Sequence, residues 1–223
     1  MARHLENELR HVEERFLEMG ALVQRAVHTS VEALRSLDQD AAMDVLDRLE
    51  PEINRLHAEI DRLGLDLLTL QQPFATDLRF VMAIMKNNND LERMGDRAAS
   101  IALRVISMLA QPAPGSNIDV AGMSDAMEGM IRDAMEAFVR RDEHLAREVL
   151  ARDDAVDRRR DAIFSSVIAE IQRRPELLQR GIDLILVSRN FERIADHATN
   201  IAENVLFLVL GKDNQRCAGT LEP

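Results

Sequence analysis

One segment of this chain occurs twice, and the duplication limits the folds available to it more than any other feature. Residues 91–105 align without a gap with residues 191–205, one hundred positions later, and the copies share Glu, Arg, Asp, Ala, Ile, Ala and Val at matching places. Self-similarity at a fixed offset is typical of a duplicated supersecondary unit whose copies pack together. The sequence therefore predicts two similar halves.

Apolar residues recur at steps of three and four along almost the whole chain, as they do on one face of an amphipathic helix. Asp38 is a candidate N-cap, Pro73 interrupts the second periodic segment, Pro51 is expected to bend it, and Pro175 suits the first turn of the last helix. A Pro- and Gly-containing stretch at residues 112–116 has the composition of a linker. Six helices are predicted, over residues 5–34, 38–72, 76–111, 123–140, 144–173 and 175–210.

The composition agrees with helices alone. Hydrophobic residues make up 46% of the chain but aromatic residues only 3%, and β-sheets usually draw on aromatic and β-branched side chains. We expect an all-α chain of two tandem three-helix bundles, one over residues 1–115 and one over residues 116–211. Residues 212–223 lack periodicity and are expected to form a disordered tail, in which Cys217 is incidental.

Charge and hydropathy limit the partners and the compartment. The net charge of −11 argues against binding nucleic acid. No secretory leader or membrane span is recognisable, so contact with a membrane is expected only through partner proteins. A single cysteine cannot form an internal disulfide, which makes the reducing cytoplasm the expected location.

The repeated segment carries paired carboxylates. Glu92 and Asp96 are four residues apart, on the same outer helical face, beside the small residue Gly95, which leaves room for another group to approach. Glu192 and Asp196 repeat this pair. Like charges at this spacing do not stabilise a helix, so two interpretations remain: a solvated face neutralised by neighbouring arginines such as Arg93 and Arg97, or a binding site for a hard cation.

A second row of oxygen ligands is predicted in each half. Glu50 and Asn54, followed by His57 and Asp61, would face the first pair if the second and third helices are antiparallel neighbours. In the second half the row is purely acidic and contains Asp153 and Asp157 as well as Asp161. Ion pairing of this row with residues Arg152, Arg158, Arg159 and Arg160 is the alternative interpretation.

Three segments together resemble the PhoU family of phosphate-uptake regulators: Gln71-Gln72-Pro73-Phe74-Ala75-Thr76-Asp77-Leu78-Arg79, the stretch 89–96, and the stretch 190–203. The resemblance implies two similar three-helix bundles, often in a cytoplasmic homodimer. It implies a non-enzymatic negative regulator of phosphate uptake and of the phosphate-starvation response. Its partners would be the ATPase of a phosphate ABC transporter and a phosphate sensor histidine kinase.

The resemblance also implies metal-binding carboxylate motifs at the surface. The matching positions are Glu92, Asp96, Glu192, Asp196, Asp153, Asp157, Glu50 and Asn54, for iron, zinc, manganese or magnesium. Because Asn54 replaces a carboxylate and Leu103 stands where the second half has Glu203, we expect the second bundle to bind a cation more firmly.

Two other functions remain open from the residues. A helical adaptor without metal is compatible with the same acidic faces. A carboxylate-bridged di-iron enzyme would need two Glu-x-x-His motifs, and the chain has one, Glu8 to His11. No anion-binding nest for phosphate is recognisable in the sequence.

Overall fold

A computed structural model describes residues 2–112 and 118–211, with side chains from residue 4 onwards. Within these ranges the chain forms α-helices, two π-helical turns and one 3-10 turn, and no β-strand. The all-α prediction is confirmed. The α-helices are α1 (Ala2–Ser36), α2 (Gln39–Asp44), α3 (Glu50–Asp66), α4 (Thr76–Met108), α5 (Val120–Arg140), α6 (Glu143–Leu150), α7 (Asp153–Arg173) and α8 (Leu178–Leu210).

These eight α-helices form six rods, as predicted, because α2 and α3 together make the second rod and α6 and α7 together make the fifth. In the second rod, α2 and α3 are joined by a π-turn at Val45–Leu49, and a second π-turn at Leu67–Gln71 ends the rod. The first π-turn ends two residues before Pro51, whose missing N–H cannot bond the carbonyl four residues earlier. The irregularity expected at this proline is therefore a π-turn within a continuous helix.

The same turn connects the first two rods of each bundle. Leu37 and Arg141 both adopt a left-handed conformation, with φ of 54° and 51°. An aspartate follows each of them as the N-cap of the next helix: Asp38 accepts a hydrogen bond from the backbone N–H of Ala41, and Asp142 accepts one from Leu145. Asp38 was predicted as an N-cap, and the structure confirms it.

Several predicted helix boundaries were wrong by a few residues. The fifth rod is broken by a turn at Ala151 and Arg152, so that α6 and α7 are separate helices. The third rod ends at Met108 rather than near residue 111, and α5 begins at Val120, where the side chain of Asp119 caps its N-terminus. The predicted domain boundary at 115/116, the predicted disordered tail and Cys217 all lie outside the described residues.

The two bundles pack through their third rods. Helices α4 and α8 run antiparallel and form the most extensive helix contact in the described chain. Residue contacts fix the register, since Arg104 lies beside Asp183 near one end and Asn87 beside Asn204 near the other. Because α8 repeats α4 one hundred residues later, this antiparallel pair has pseudo-two-fold symmetry about a point near Gly95.

Buried polar contacts fasten one end of this interface. Asp183 is fully buried and accepts hydrogen bonds from Ser107 at 2.9 Å and from Gln111 at 3.0 Å. Arg180 donates to the carbonyl oxygen of Met108 at 2.9 Å, at the C-terminus of α4, where a cation is favoured by the helix dipole. None of the helices in the described part of the chain combines the length and the apolar character that a membrane span requires.

Candidate functional site

The duplicated Glu-x-x-x-Asp pairs lie on the outer faces of α4 and α8, as predicted. The side chains of Glu92 and Asp96 are 22% and 36% exposed, and those of Glu192 and Asp196 are 16% and 37% exposed. The similar values show that the repeat preserves the exposure of the pair as well as its sequence.

A close helix contact brings the two rows of the first bundle together. A Cβ atom on Gly95 would lie 3.1 Å from the Cδ1 and Cγ2 atoms of Ile53, so α3 approaches α4 closely at this point. His57 Nε2 lies 3.4 Å from Asn89 Oδ1, which sets α3 and α4 antiparallel. The space beside Gly95, which was expected to admit another group, is thus filled by Ile53.

The first acidic surface consists of Glu50, Asn54, Glu92 and Asp96. Asn54 Nδ2 donates a hydrogen bond of 2.6 Å to Glu50 Oε1, so the one carboxylate that α3 contributes to this surface already has an internal partner. Arg93 lies 3.5 Å from Glu92 and 3.9 Å from Asp96. This surface is partly neutralised by its own neighbours, as in the solvated-face interpretation.

The second acidic surface consists of Asp153, Asp157, Glu192 and Asp196. Burial raises the pKa of Asp153, and the negative charges of Asp196, Asp157, Asp154 and Glu192 raise it further. The carboxylates of α7 and α8 are therefore close enough to repel one another. Such an accumulation of negative charge favours the binding of a cation.

Two arginines compensate part of this charge. Arg160 Nη1 donates a 2.8 Å hydrogen bond to Glu192 Oε1, and Arg193 Nη1 lies 3.3 Å from Asp196 Oδ2. Asp153 and Asp157 have no hydrogen bond or ion pair with any other described residue. The α7 row therefore keeps two carboxylates that form no ion pair within the described chain, although Arg160 is near enough to Asp157 to attract it electrostatically.

The arginines of α7 do not neutralise this row as the alternative interpretation required. Arg152 instead contacts Asp133 at 2.5 Å, and Arg159 lies 3.5 Å from Asp119. Only Arg160 contacts an acid of the row, at Asp161. Arg158 forms no ion pair with an acid of this row in the described chain.

The carboxylates do not converge on a point. No three Asp, Glu, His or Cys side chains of the described residues are arranged to hold one metal ion. The predicted ligands are thus assembled on one surface but not in a ligating geometry. Charge and donor type suit a hard cation, but binding would require Arg160 and the carboxylates of the second surface to move.

The histidines do not join these ligand sets. His197 Nδ1 lies 2.9 Å from Asp90 Oδ1, across the bundle interface, and His57 is 3.7 Å from Asp61. In one of the two interpretations left open by the sequence, Arg97 helped to neutralise Glu92 and Asp96. It lies instead in a groove between α4 and α8, and its Nε atom is buried without a partner among the described residues. Sequence analysis missed this groove.

Comparison with known proteins agrees with the duplicated architecture. The family model of the PhoU domain matches the chain twice, over residues 16–105 and 120–205. A phosphate-specific transport system accessory protein PhoU homolog from Pseudomonas putida is 36% identical over 207 residues, covering 92% of this chain and 80% of the relative. A homolog of the same description from Aquifex aeolicus is 34% identical over 186 residues, covering 83% and 84%.

Solved structures give the same result. The crystal structure of PhoU from Pseudomonas aeruginosa superposes with a TM-score of 0.89 at 34% identity, covering 93% of this chain and 99% of that one. The phosphate transport system regulatory protein PhoU from Streptococcus pneumoniae gives a TM-score of 0.86 at 28% identity, with coverage of 93% and 98%.

Proposed function

This chain belongs to the PhoU family, and from that premise we propose that it is an accessory protein of a phosphate-specific transport system. In this role it represses phosphate uptake and the phosphate-starvation response. It works in the cytoplasm as a homodimer, between the ATPase of the phosphate ABC transporter and a sensor histidine kinase. Its action is regulatory and not enzymatic.

The observation that carries this proposal is the pair of exposed acidic faces, one on each bundle, at matching positions of the repeat. In the second face, Asp153 and Asp157 lack an ion-pair partner among the described residues and lie beside Glu192 and Asp196. Partly exposed carboxylates without an ion-pair partner suit a charged binding surface better than they suit the stability of the bundle.

Exposed apolar residues provide a second kind of binding surface, also in both bundles. Leu78 and Met82 lie one turn apart on α4, and Leu178 and Ile182 lie at the matching positions of α8. Each is more than a third exposed, and Phe74, in the turn before α4, is 87% exposed. Clustered exposed apolar side chains mark protein contacts, which supports docking to the transporter ATPase, to the kinase and to a second copy. The exposed apolar residues at these ends of the bundles are Leu65, Leu70, Phe74, Leu78, Met82, Phe164, Ile168, Leu178 and Ile182.

We further propose that the acidic faces bind metal, with iron, zinc, manganese and magnesium as candidates. Asp153, Asp157, Glu192 and Asp196 would hold it in the second bundle, and Glu50, Asn54, Glu92 and Asp96 in the first. Oxygen-ligand sites bind divalent cations more tightly as their ligand charge increases. The second surface, with four carboxylates and no asparagine, should therefore bind more tightly than the first.

Elemental analysis of two matched double variants tests the metal proposal. Glu192→Gln with Asp196→Asn keeps the side-chain shapes and removes both charges, and Glu92→Gln with Asp96→Asn is the same change in the first bundle. We expect metal bound per chain, in protein made without an affinity tag, to decrease more in the first of these variants. Equal loss, or no metal in the unmodified protein, would favour an adaptor without metal.

Deleting the gene in its own host tests the regulatory proposal. Cells without the protein should express the phosphate-starvation response in phosphate-rich medium, and the intact gene supplied in trans should restore repression. The control is a strain that carries the gene with an early stop codon. Normal repression in the deletion strain would contradict the proposed function whatever the metal analysis gives.

A further inference from the structure

A groove of about 290 Å³ lies between α4 and α8, apart from the eight predicted metal ligands, and we call it the arginine groove. Its lining contains no acidic side chain. Four arginines are concentrated there, although the whole chain has a net charge of −11. The lining residues are Arg97, Ser100, Arg104, Leu186, Arg189, Asn190 and Arg193.

The arginines of the groove are poorly compensated by the protein itself. Arg97 has a buried Nε atom without a partner, and Arg189 makes no hydrogen bond or ion pair within the described chain. Arg104 and Arg193 each contact one carboxylate at long distance, 3.4 Å to Asp183 and 3.3 Å to Asp196. Since each guanidinium carries five N–H donors, most donors of the cluster remain free.

The pseudo-symmetric position, which lies further along α4 and α8 beyond the symmetry point near Gly95, shows what this arrangement lacks. There, Asp90 Oδ1 lies 2.9 Å from His197 Nδ1 and accepts a 2.9 Å hydrogen bond from Asn200. The side chain of Asp90 is only 14% exposed, so the protein fills this position with its own carboxylate.

The one-hundred-residue offset relates the two positions residue by residue. Asn190 stands in the arginine groove where Asp90 stands in its counterpart, and Arg97 stands where His197 stands. The arginine groove therefore has no carboxylate at the position of Asp90, and a guanidinium group stands at the position of the histidine. Neighbouring guanidinium groups without an anion repel one another, so the groove has excess positive charge that an external ligand can neutralise.

We propose that the arginine groove binds a small tetrahedral oxyanion of the phosphate class from solution, at the place where Asp90 supplies a carboxylate in the counterpart. Guanidinium groups bind such oxyanions through paired, charge-assisted hydrogen bonds. Arg97, Arg189 and Arg193 provide these donors from two different helices, so the bound anion also joins the two bundles. The proposal goes beyond the regulatory role and does not depend on the metal sites.

Titration of the full chain with inorganic phosphate tests the proposal. The protein is first treated with a chelator and desalted, so that phosphate cannot bind through a metal ion. Isothermal titration calorimetry and the ³¹P linewidth of phosphate should then show saturable binding. Sulfate should compete with phosphate, and chloride at the same ionic strength should not.

Three variants locate the site. Asn190→Asp restores the carboxylate of the counterpart and should weaken phosphate binding at least tenfold while raising the melting temperature of the phosphate-free protein. Arg97→Gln should weaken binding by a similar factor. Arg93→Gln removes an arginine of equal exposure to Arg193 at the matching position outside the groove, and it should leave the affinity within twofold.

Circular dichroism of each variant establishes that it is folded. Absence of saturable phosphate binding in the unmodified protein would overturn the proposal. So would binding that survives both Asn190→Asp and Arg97→Gln, or that Arg93→Gln weakens as much as they do.

Discussion

In the proposed metal site of the second bundle, Asp153 is the residue at which a proton and a cation would compete most directly. Burial and the charges of Asp196, Asp157 and Glu192 raise its pKa above that of an ordinary aspartate. In the metal-free protein, the stability that this raised pKa contributes is present below the pKa of the unfolded chain and is lost as the pH rises through the pKa of the folded chain. A bound cation reverses the preference, because it requires the ionised carboxylate.

We therefore expect the stabilisation by a divalent cation to be small in acid and to increase as the pH rises through the raised pKa of Asp153. At a free concentration one hundred times its Kd, a cation adds about 2.7 kcal/mol. For a chain of this size that corresponds to a rise of roughly 5–10 °C in melting temperature. Thermal melts with and without manganese across the acid range measure the effect.

Asp153→Asn should remove this part of the pH dependence and reduce the stabilisation by manganese at neutral pH. Asp161→Asn is the control, since it removes the same charge from an exposed position of α7 that is not among the groups raising the pKa of Asp153. If both variants keep the same pH profile as the unmodified protein, Asp153 is not a ligand.

At the scale of elements, each bundle depends on an aspartate that starts a helix. The carboxylate of Asp142 accepts a hydrogen bond of 3.0 Å from the N–H of Leu145, directly after the left-handed Arg141. Asp142→Ala should cost about 1 kcal/mol, because the first N–H groups of α6 lose their acceptor. Asp142→Asn retains a capping oxygen and should be nearly neutral. Urea unfolding measures both, and equal destabilisation by the two variants would show that the cap does not act through this hydrogen bond.

The close contact of α3 with α4 has a partner arrangement in the second bundle. In the first bundle Gly95 lies under Ile53. Matching Glu50 and Asn54 to Asp153 and Asp157 puts Val156 at the position of Ile53, and the repeat puts Ala195 at the position of Gly95, so the second bundle has the larger residue on α8 and the smaller one on α7. Gly95→Ala alone gains helix propensity but presses a methyl group against Ile53, so we expect it to be neutral or destabilising. Adding Ile53→Val should relieve the contact.

A double-mutant cycle over these two positions should give a favourable coupling of about 0.5–1.5 kcal/mol. Free energies of unfolding from urea denaturation of the four proteins provide the cycle. Strict additivity of the two changes would mean that the helices shift apart without cost.

The elements also show what could be predicted from the sequence. Asp38 and Pro51 act through groups within four residues, so local pattern was sufficient to find them. The break at Ala151 was missed because Val149 and Val156, seven residues apart, keep the apolar periodicity across it.

The arginine groove was missed for a different reason. The offset of one hundred residues was visible in the sequence, and so was the exchange of Asp90 for Asn190. The antiparallel packing of α4 on α8 depends on tertiary contacts, which the sequence does not show. Only this packing places Asp90 and Asn190 in two equivalent positions between the helices. The acidic faces were predicted correctly as surfaces, but the positions of Arg97 and Arg160 required the structure.

At the scale of the whole molecule, the two bundles share one hydrophobic core. Phe138 of α5 lies 4.8 Å from Phe16 of α1 and 6.1 Å from Phe80 of α4, measured between ring centroids. A Cβ atom on Gly20 of α1 would collide with the side chain of Met135 of α5, so these helices of different bundles are also in close contact. Although the sequence repeats, the bundles are not independent in packing.

Phe138→Ala tests whether the two bundles unfold as one unit. The side chain is 2% exposed, and its removal should cost about 3–5 kcal/mol through lost burial and the cavity left behind. Because Phe16 and Phe80 lose their partner, amide protection in α1 and α4 should decrease together with that in α5. Calorimetry should show a single transition in both proteins, at lower temperature in the variant. Phe164→Ala removes a ring that is 50% exposed and should change stability by less than about 1 kcal/mol. Two separate transitions, with only the second bundle destabilised by Phe138→Ala, would show that the repeats fold independently despite their common core.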